Sequence, residues 1–330
     1  MSFKTQLKRE VLQMQIADFE HLSFELFRYQ AENNPIYSNY LRYLGINPSQ
    51  IKELHKIPFL PIEFFKYHKV FTGEEFIVTV FESSGTTSTQ NSKHYVSDLS
   101  FYEQNCLTIF EKQFGDIQEW TILALLPSYL ERNNASLVAM TDFLIRKSKP
   151  ESGFFLHDTG QINLIAKNAL QKQQKVMIIG VTFALLDWAE QNPDNLSGAI
   201  LIETGGMKGR RKEIVREELH EVLCRAFSLQ KIGGEYGMTE LFSQAYSKGD
   251  GWFEPPTQMR IFLRDMYDPF DVSKRKHGAV NVIDLANIDS CAFIETKDIG
   301  MFHPTIPEQF AILGRLDNTD IRGCNLMVSA

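Results

Sequence analysis

Between Trp120 and Glu235 the sequence alternates short apolar, β-branched runs with longer amphipathic stretches, and this alternation narrows the fold more than any other feature. Strands are expected near Ile122–Leu126, Val176–Gly180, Ala199–Glu203 and Lys231–Gly234, with helices near Ala135–Ile145, Ile162–Gln171, Phe183–Gln191 and Lys212–Phe227 between them. Such a pattern predicts a parallel or mixed sheet covered by helices, with right-handed crossovers. Ligands of these sheets sit at the carboxyl ends of the strands. The first seventy residues are helical in pattern: Phe19, Leu22, Phe24, Leu26 and Phe27 supply an apolar face, and Gly45 and Pro48 stop a second helix around Tyr37–Leu44. They read as a lid or flank. After Asp250 the period shortens, with strand-like segments at Met259–Leu263, Ala279–Ile283, Ala292–Ile294 and Phe310–Leu313, so a small antiparallel sheet or barrel is expected there. The Gly249-Asp250-Gly251 turn is the nearest thing to a boundary. The expected class is α/β: residues 1–250 form a helical flank plus an α/β core with helix-flanked mixed sheets, and residues 251–330 a small β-rich C-terminal subdomain.

Composition excludes several classes of function. Of the 330 residues 43% are hydrophobic and 23% charged, which is the balance of a globular chain rather than a disordered or fibrous one. A net charge of −7 gives no overall attraction for nucleic-acid phosphates or anionic lipid. The 25 Phe and 11 Tyr suit a large aromatic core or an apolar ligand pocket. Cys106, Cys224, Cys291 and Cys324 are far apart, with no spacing that frames a zinc site, so reduced thiols and a cytoplasmic location are expected. The longest nearly apolar run, Val176–Leu186, is too short for a membrane span, and the N-terminal segment lacks the unbroken apolar region of a signal peptide. His157 lies beside Asp158, but neighbouring residues point apart and no catalytic triad is assigned. Neither a G-x-S-x-G elbow nor a G-x-G-x-x-G fingerprint occurs.

Four segments carry chemistry. In Phe76-Ile77-Val78-Thr79-Val80-Phe81 a strand-like run stops abruptly at Ser83-Ser84-Gly85-Thr86-Thr87-Ser88, with Lys93 beyond. Hydroxyls and backbone N–H groups around one glycine suit a polyphosphate cradle, although the spacing is not that of a Walker A loop; a solvated Ser/Thr turn is the plain alternative. In Gly233-Gly234-Glu235-Tyr236-Gly237-Met238-Thr239-Glu240, a strand ending in glycines presents an aromatic, followed by Thr-Glu at the expected start of a helix. Tyr236 suits stacking on a flat base, Thr239 a phosphate contact and Glu240 a hard-oxygen ligand for Mg²⁺. The alternative gives Tyr236 a core role and makes Thr239 an ordinary N-cap. Asp298, in Thr296-Lys297-Asp298-Ile299-Gly300, is expected at a strand end, where a carboxylate suits ribose hydroxyls; Arg315, in Leu313-Gly314-Arg315-Leu316-Asp317-Asn318, adds donors for ribose or phosphate. Either segment also reads as a surface turn.

Taken in order, these motifs resemble those of the adenylate-forming superfamily, and Glu203-Thr204-Gly205-Gly206-Met207-Lys208 looks like its adenine-facing glycine pair. The nearest resemblance is to the LuxE-type acyl-protein synthetases and phenylacetate-CoA-ligase-like acyltransferases. It rests on Leu126-Pro127-Ser128-Tyr129-Leu130-Glu131-Arg132, on Gly205–Lys208, and on Gly314-Arg315 followed by Ile321-Arg322-Gly323-Cys324. The resemblance implies the superfamily's N-terminal-domain fold, ATP and Mg²⁺ as cofactors, and activation of a carboxylic acid, expected to be a long-chain fatty acid, as acyl-AMP. It implies ATP contacts at Ser83, Ser84, Gly85, Thr86, Thr87, Ser88, Lys93, Gly205, Gly206, Tyr236, Gly237, Thr239, Asp298 and Arg315, and metal binding at Glu240. It also makes Cys324 the acyl acceptor, a role that a thiolate near Arg322 suits chemically. Cys106, Cys224 and Cys291 fall in helix- or strand-like segments and read as core.

The sequence also departs from that pattern. Ser88 stands where a glycine is usual, and no lysine matches the one that full-length members carry in a further C-terminal domain. Weak unaided adenylation, or reliance on a partner subunit, is therefore expected. The partners implied are the acid and an acyl-accepting reductase, with coenzyme A as the alternative acceptor and a noncatalytic nucleotide- or acyl-binding subunit of a reductase complex as the rival reading.

Overall fold

The N-terminal flank is three helices: α1 (Phe3–Gln13), α2 (Phe19–Asn33) and α3 (Pro35–Tyr43). They are followed by a two-residue strand, β1 (Leu60–Pro61), and one short helical turn, α4 (Phe64–Tyr67). The computed structural model describes residues 2–83, 90–126, 134–156, 158–191, 193–205, 214–272 and 275–316. Next comes an antiparallel hairpin, β2 (Thr79–Glu82) and β3 (Lys93–Val96). Its exit leads into α5 (Leu99–Phe114), whose first turn is capped by Asp98 accepting from the Phe101 N–H at 3.0 Å.

The alternating region forms the expected sheet. Its elements are β4 (Trp120–Leu125), α6 (Ser136–Lys147), β5 (Gly153–Phe154), α7 (Thr159–Gln171), β6 (Lys175–Val181), α8 (Thr182–Ala189), β7 (Ile200–Thr204), α9 (Arg216–Phe227), β8 (Gly233–Tyr236) and β9 (Ala245–Ser247). The strand order is β5-β4-β6-β7-β8-β9, parallel except for β9, which pairs antiparallel with β8. Both faces are covered, which is why the strands read as continuous apolar runs. Ile122, Met177, Ile179 and Ile202 are buried with α5 and α6, while Leu123, Val176, Ile178 and Leu201 are buried with α7, α8 and α9.

The C-terminal strands β10 (Met259–Arg264), β11 (His277–Asp284), β12 (Phe293–Phe302) and β13 (Phe310–Arg315) make an antiparallel sheet, as expected, but β1 from the flank joins it by pairing parallel with β12. The flank then covers one face of this sheet. Phe27 meets Phe293 edge-on at 5.6 Å, and Tyr37 stacks on the same ring at 6.0 Å. The run from Phe76 is a strand only from Thr79 onward, and Phe76 itself is exposed. Among the described residues no helix is long and apolar enough to cross a membrane.

A buried ion cluster ties α1 to the rest. Asp289 is met by Lys4 at 2.5 Å and Lys8 at 2.7 Å, and accepts from the Ser97 hydroxyl at 2.7 Å. Burial alone raises the Asp289 carboxyl, but the two ammonium groups outweigh it and hold the group below the usual carboxylate range. Without Asp289, Lys4 keeps only the exposed Glu75 carboxylate at 2.6 Å and Lys8 only Asp98 at 3.1 Å, so each loses its buried counter-charge. Asp289→Ala is expected to cost about 3 kcal/mol, read as a fall in unfolding free energy in urea; a change near zero would show that the lysines find water instead.

Candidate active site

The hydroxyl-rich segment springs from the β2–β3 hairpin, where Glu82 is in register with Lys93. Its neck is closed twice: the Ser83 N–H donates to the Ser92 carbonyl at 3.0 Å, and the Ser92 N–H to the Ser83 hydroxyl at 2.9 Å. Lys93 is partly exposed, with its Nζ 3.7 Å from Glu82. Ser84, Gly85, Thr86, Thr87 and Ser88 lie outside the described residues, as do Gly206, Met207, Lys208, His157 and Cys324.

The neck leads directly to the Thr-Glu segment. His94 is buried, and its Nδ1 lies 2.9 Å from the Thr239 carbonyl; because a carbonyl only accepts, the proton sits on Nδ1. Burial pushes this imidazole down to about 4, against the opposing effects of the Thr239 hydrogen bond and Asp289, so it is neutral near pH 7. Glu240 is also buried. Burial raises its carboxyl, partly offset by hydrogen bonding from Ser92 and by the charges of Arg315 and Lys66.

The expected helix after Tyr236 does not form. Residues 237–244 make a turn and then enter β9, because their amides are claimed by side chains at the end of β11 and just past it. Asp284 accepts from the N–H groups of Phe242 at 2.9 Å and Ser243 at 2.8 Å, while Asn287 donates to the Glu240 carbonyl at 2.8 Å and accepts from the Phe242 N–H at 3.0 Å. Tertiary acceptors thus replace the helical ladder.

Tyr236 is buried at the end of β8, packed against Phe253 at 5.9 Å and Phe310 at 5.3 Å, and its hydroxyl donates to Asp298 at 2.9 Å. Asp298 is not at a strand end as expected. It lies within β12 beside a register irregularity at Ile299/Gly300, where it faces Arg315 on β13, whose Nε donates to it at 3.1 Å. Arg315 is mostly exposed, and its charge acts on both Tyr236 and Glu240. Ser83, Ser92, Thr239, Glu240, Tyr236, Asp298 and Arg315 are therefore linked by hydrogen bonds and short-range charge, although they span 233 positions of sequence from Ser83 to Arg315.

At the carboxyl ends of β7 and β8 the Thr204 hydroxyl donates to Glu235 at 2.8 Å, and the Thr182 hydroxyl donates to Glu203. Gly205 follows β7 with φ +63°, a left-handed conformation that glycine adopts without strain. Gly237 is exposed, and a Cβ there would fall 2.3 Å from the Glu235 carboxyl. The sequence motifs give no role to Ser92, His94, Glu203, Thr204 or Glu235. For His94 and Ser92 one signal was present: inward-outward alternation along Ser92–Val96 puts both on the buried side.

Cys106 and Cys291 are buried. Burial pushes the Cys106 thiol well above its ordinary range and Cys291 up to about 12, as suits core residues; half-buried Cys224 is raised in the same way. Among the described residues no group of three or more His, Cys, Asp or Glu is placed to hold a metal ion. Glu240 is a single hard-oxygen donor, which fits Mg²⁺ in the form that ion takes when substrate phosphates and water complete its shell.

No family model and no curated protein matches the chain. Solved structures match in fold. A 2-hydroxyisobutyryl-CoA ligase in complex with 2-HIB-AMP and CoA is similar with a TM-score of 0.63 and 15% identity, over 92% of this chain and 68% of that one. The same ligase in its postadenylation state with 2-HIB-AMP gives 0.64 and 15%, over 91% and 67%. ATP-bound MatB from Rhodopseudomonas palustris gives 0.54 and 13%, over 74% and 49%. The chain has the α/β fold of the N-terminal domain of adenylate-forming enzymes. It spans about two thirds of the ligase's length and half of MatB's.

Burial pushes the Glu235 carboxyl up to about 7, eased by Thr204 and reinforced by Glu203. A raised acid holds its proton in the folded state, so the stability it contributes is present below its unfolded value of 4.5 and is lost as pH rises through 7. Glu235→Gln, neutral at every pH, is expected to melt higher than wild type at pH 8, with the advantage shrinking toward pH 5. Parallel melting curves across that range would remove the assignment.

Proposed function

We propose that this chain is an ATP-dependent acid–thiol ligase. A carboxylate resists nucleophiles until its oxygen carries a good leaving group. In this reading the acid's oxygen attacks the α-phosphorus of ATP, pyrophosphate leaves, and the acyl-AMP is then attacked by a thiolate with release of AMP. The contribution of the protein is alignment and neutralisation of phosphate charge. The single observation that carries the reading is the hydrogen-bonded path from the neck of the Ser/Thr hairpin through Thr239–Glu240, with Tyr236, Asp298 and Arg315 brought to the same place. The fold shared with a ligase bound to 2-HIB-AMP and CoA and with ATP-bound MatB supports it.

Roles then follow from chemistry. Ser83, Ser84, Thr86, Thr87, Ser88 and Lys93, with the backbone at Gly85, hold the terminal phosphates. Thr239 contacts the α-phosphate, and Glu240 holds Mg²⁺, which neutralises phosphate charge when bound. Asp298, fixed by Tyr236 and Arg315, receives the ribose hydroxyls. Tyr236, Gly237, Gly205 and Gly206 border the adenine. The resemblance to acyl-protein synthetases supports a long-chain fatty acid as substrate and Cys324 as acceptor. A second reading, with coenzyme A as acceptor, is favoured by the CoA-bound ligase among the structures of like fold.

Glu240→Gln preserves shape and removes the charge. It is expected to lower acid-dependent exchange of pyrophosphate into ATP by about 100-fold, and an unchanged rate would remove the metal role. Radiolabelled fatty acid is expected to stay with denatured wild-type protein and not with Cys324→Ser. Label found only on coenzyme A would establish the second reading, and ATP binding with no acyl-AMP from any acid would make the chain a binding subunit.

A further inference from the structure

Ser92, just before β3, and His94, within it, face the same buried side, and the His94 ring reaches the segment after β8. The His94 Nδ1–H donates to the Thr239 carbonyl at 2.9 Å, and the Ser92 side chain lies beside the buried Glu240 carboxyl. The Ser92 backbone also closes the hairpin neck onto Ser83 through two bonds, so one strand grips the base of the hydroxyl-rich segment and the Thr-Glu turn together.

We propose that His94 and Ser92 form a positioning clamp that sets the phosphate-binding hairpin in register with the Thr239–Glu240 turn. Packing alone does not call for an imidazole at this place. The ring of His94 stacks on Phe242 at 4.5 Å with an interplanar angle of 25° and meets Phe65 edge-on at 5.8 Å, surroundings that a leucine of similar volume would fill without burying a polar group. The one thing an apolar side chain does not supply is the hydrogen bond to Thr239.

The clamp rests on the proposed adenylation reaction, and two variants separate it from a merely structural role. His94→Leu keeps apolar volume and loses the donor. His94→Asn carries an amide nitrogen close to the Nδ1 position and keeps the donor, at the expense of packing. His94→Leu is expected to lower kcat for acid-dependent pyrophosphate exchange by about 100-fold at saturating ATP while melting no lower than His94→Asn, which stays within about tenfold of wild type. Activity and stability thus run in opposite order. In a double-mutant cycle, Ser92→Ala combined with His94→Leu costs no more than the more damaged single variant, because both act on one register. Exchange that follows melting temperature, or an unimpaired His94→Leu, overturns the clamp. If wild type shows no exchange with any acid, the reaction fails and the clamp is read from the melting shift caused by ATP, retained by His94→Asn and lost in His94→Leu. A wild-type protein that ATP does not stabilise overturns both.

Discussion

A buried carboxylate, Asp284, governs how the two sheets meet. It accepts from the N–H groups of Phe242, Ser243 and Ala286 and from the Ser243 hydroxyl, all between 2.7 and 3.0 Å. Four donors compensate its removal from water, although burial still raises its carboxyl. Asn287, three residues on, adds the Glu240 carbonyl and the Cys291 carbonyl to the same knot. The knot takes the chain leaving the parallel sheet at Tyr236 and anchors it to the antiparallel one at Asp284. The position of Thr239 and Glu240 is therefore set from the C-terminal sheet, while Tyr236 reaches Asp298 on that sheet directly.

The hairpin is the third party to this junction. Ser92 and His94 contact the turn that Asp284 and Asn287 hold from the other side, and Ser97, just past β3, donates to Asp289, which also binds both lysines of α1. The described side chains of the candidate site thus sit on strands, or on segments hydrogen-bonded to them. Under the proposed function, a loop mounted on such a frame spends little binding energy on ordering its base, which is the condition under which alignment contributes most to a group transfer.

Much of this architecture was legible in the sequence where burial is two-sided. The strands β4, β6 and β7 fall within two residues of their expected limits because runs such as Val176-Met177-Ile178-Ile179 have no polar side to confuse the period. Legibility failed where pairing is decided from afar. β1 is two residues long and exists because β12 offers it an edge; the Phe76–Val78 run has strand composition but forms no strand; and the helix expected after Tyr236 is pre-empted by Asp284. Among site residues, ordered motifs flagged Tyr236, Glu240, Asp298 and Arg315. His94 and Glu235 escaped, since each is defined by partners on other elements rather than by a local pattern.

Under the proposed function, segments far apart in sequence form one site for an adenine nucleotide. Photolabelling with 8-azido-ATP, followed by peptide mapping with and without excess ATP, tests it most directly. ATP-protected label is expected on peptides containing Gly205, Tyr236–Glu240 or Asp298–Arg315. Label confined to peptides from the opposite side of the parallel sheet, such as α7 or α9, or label that ATP does not displace, would contradict it.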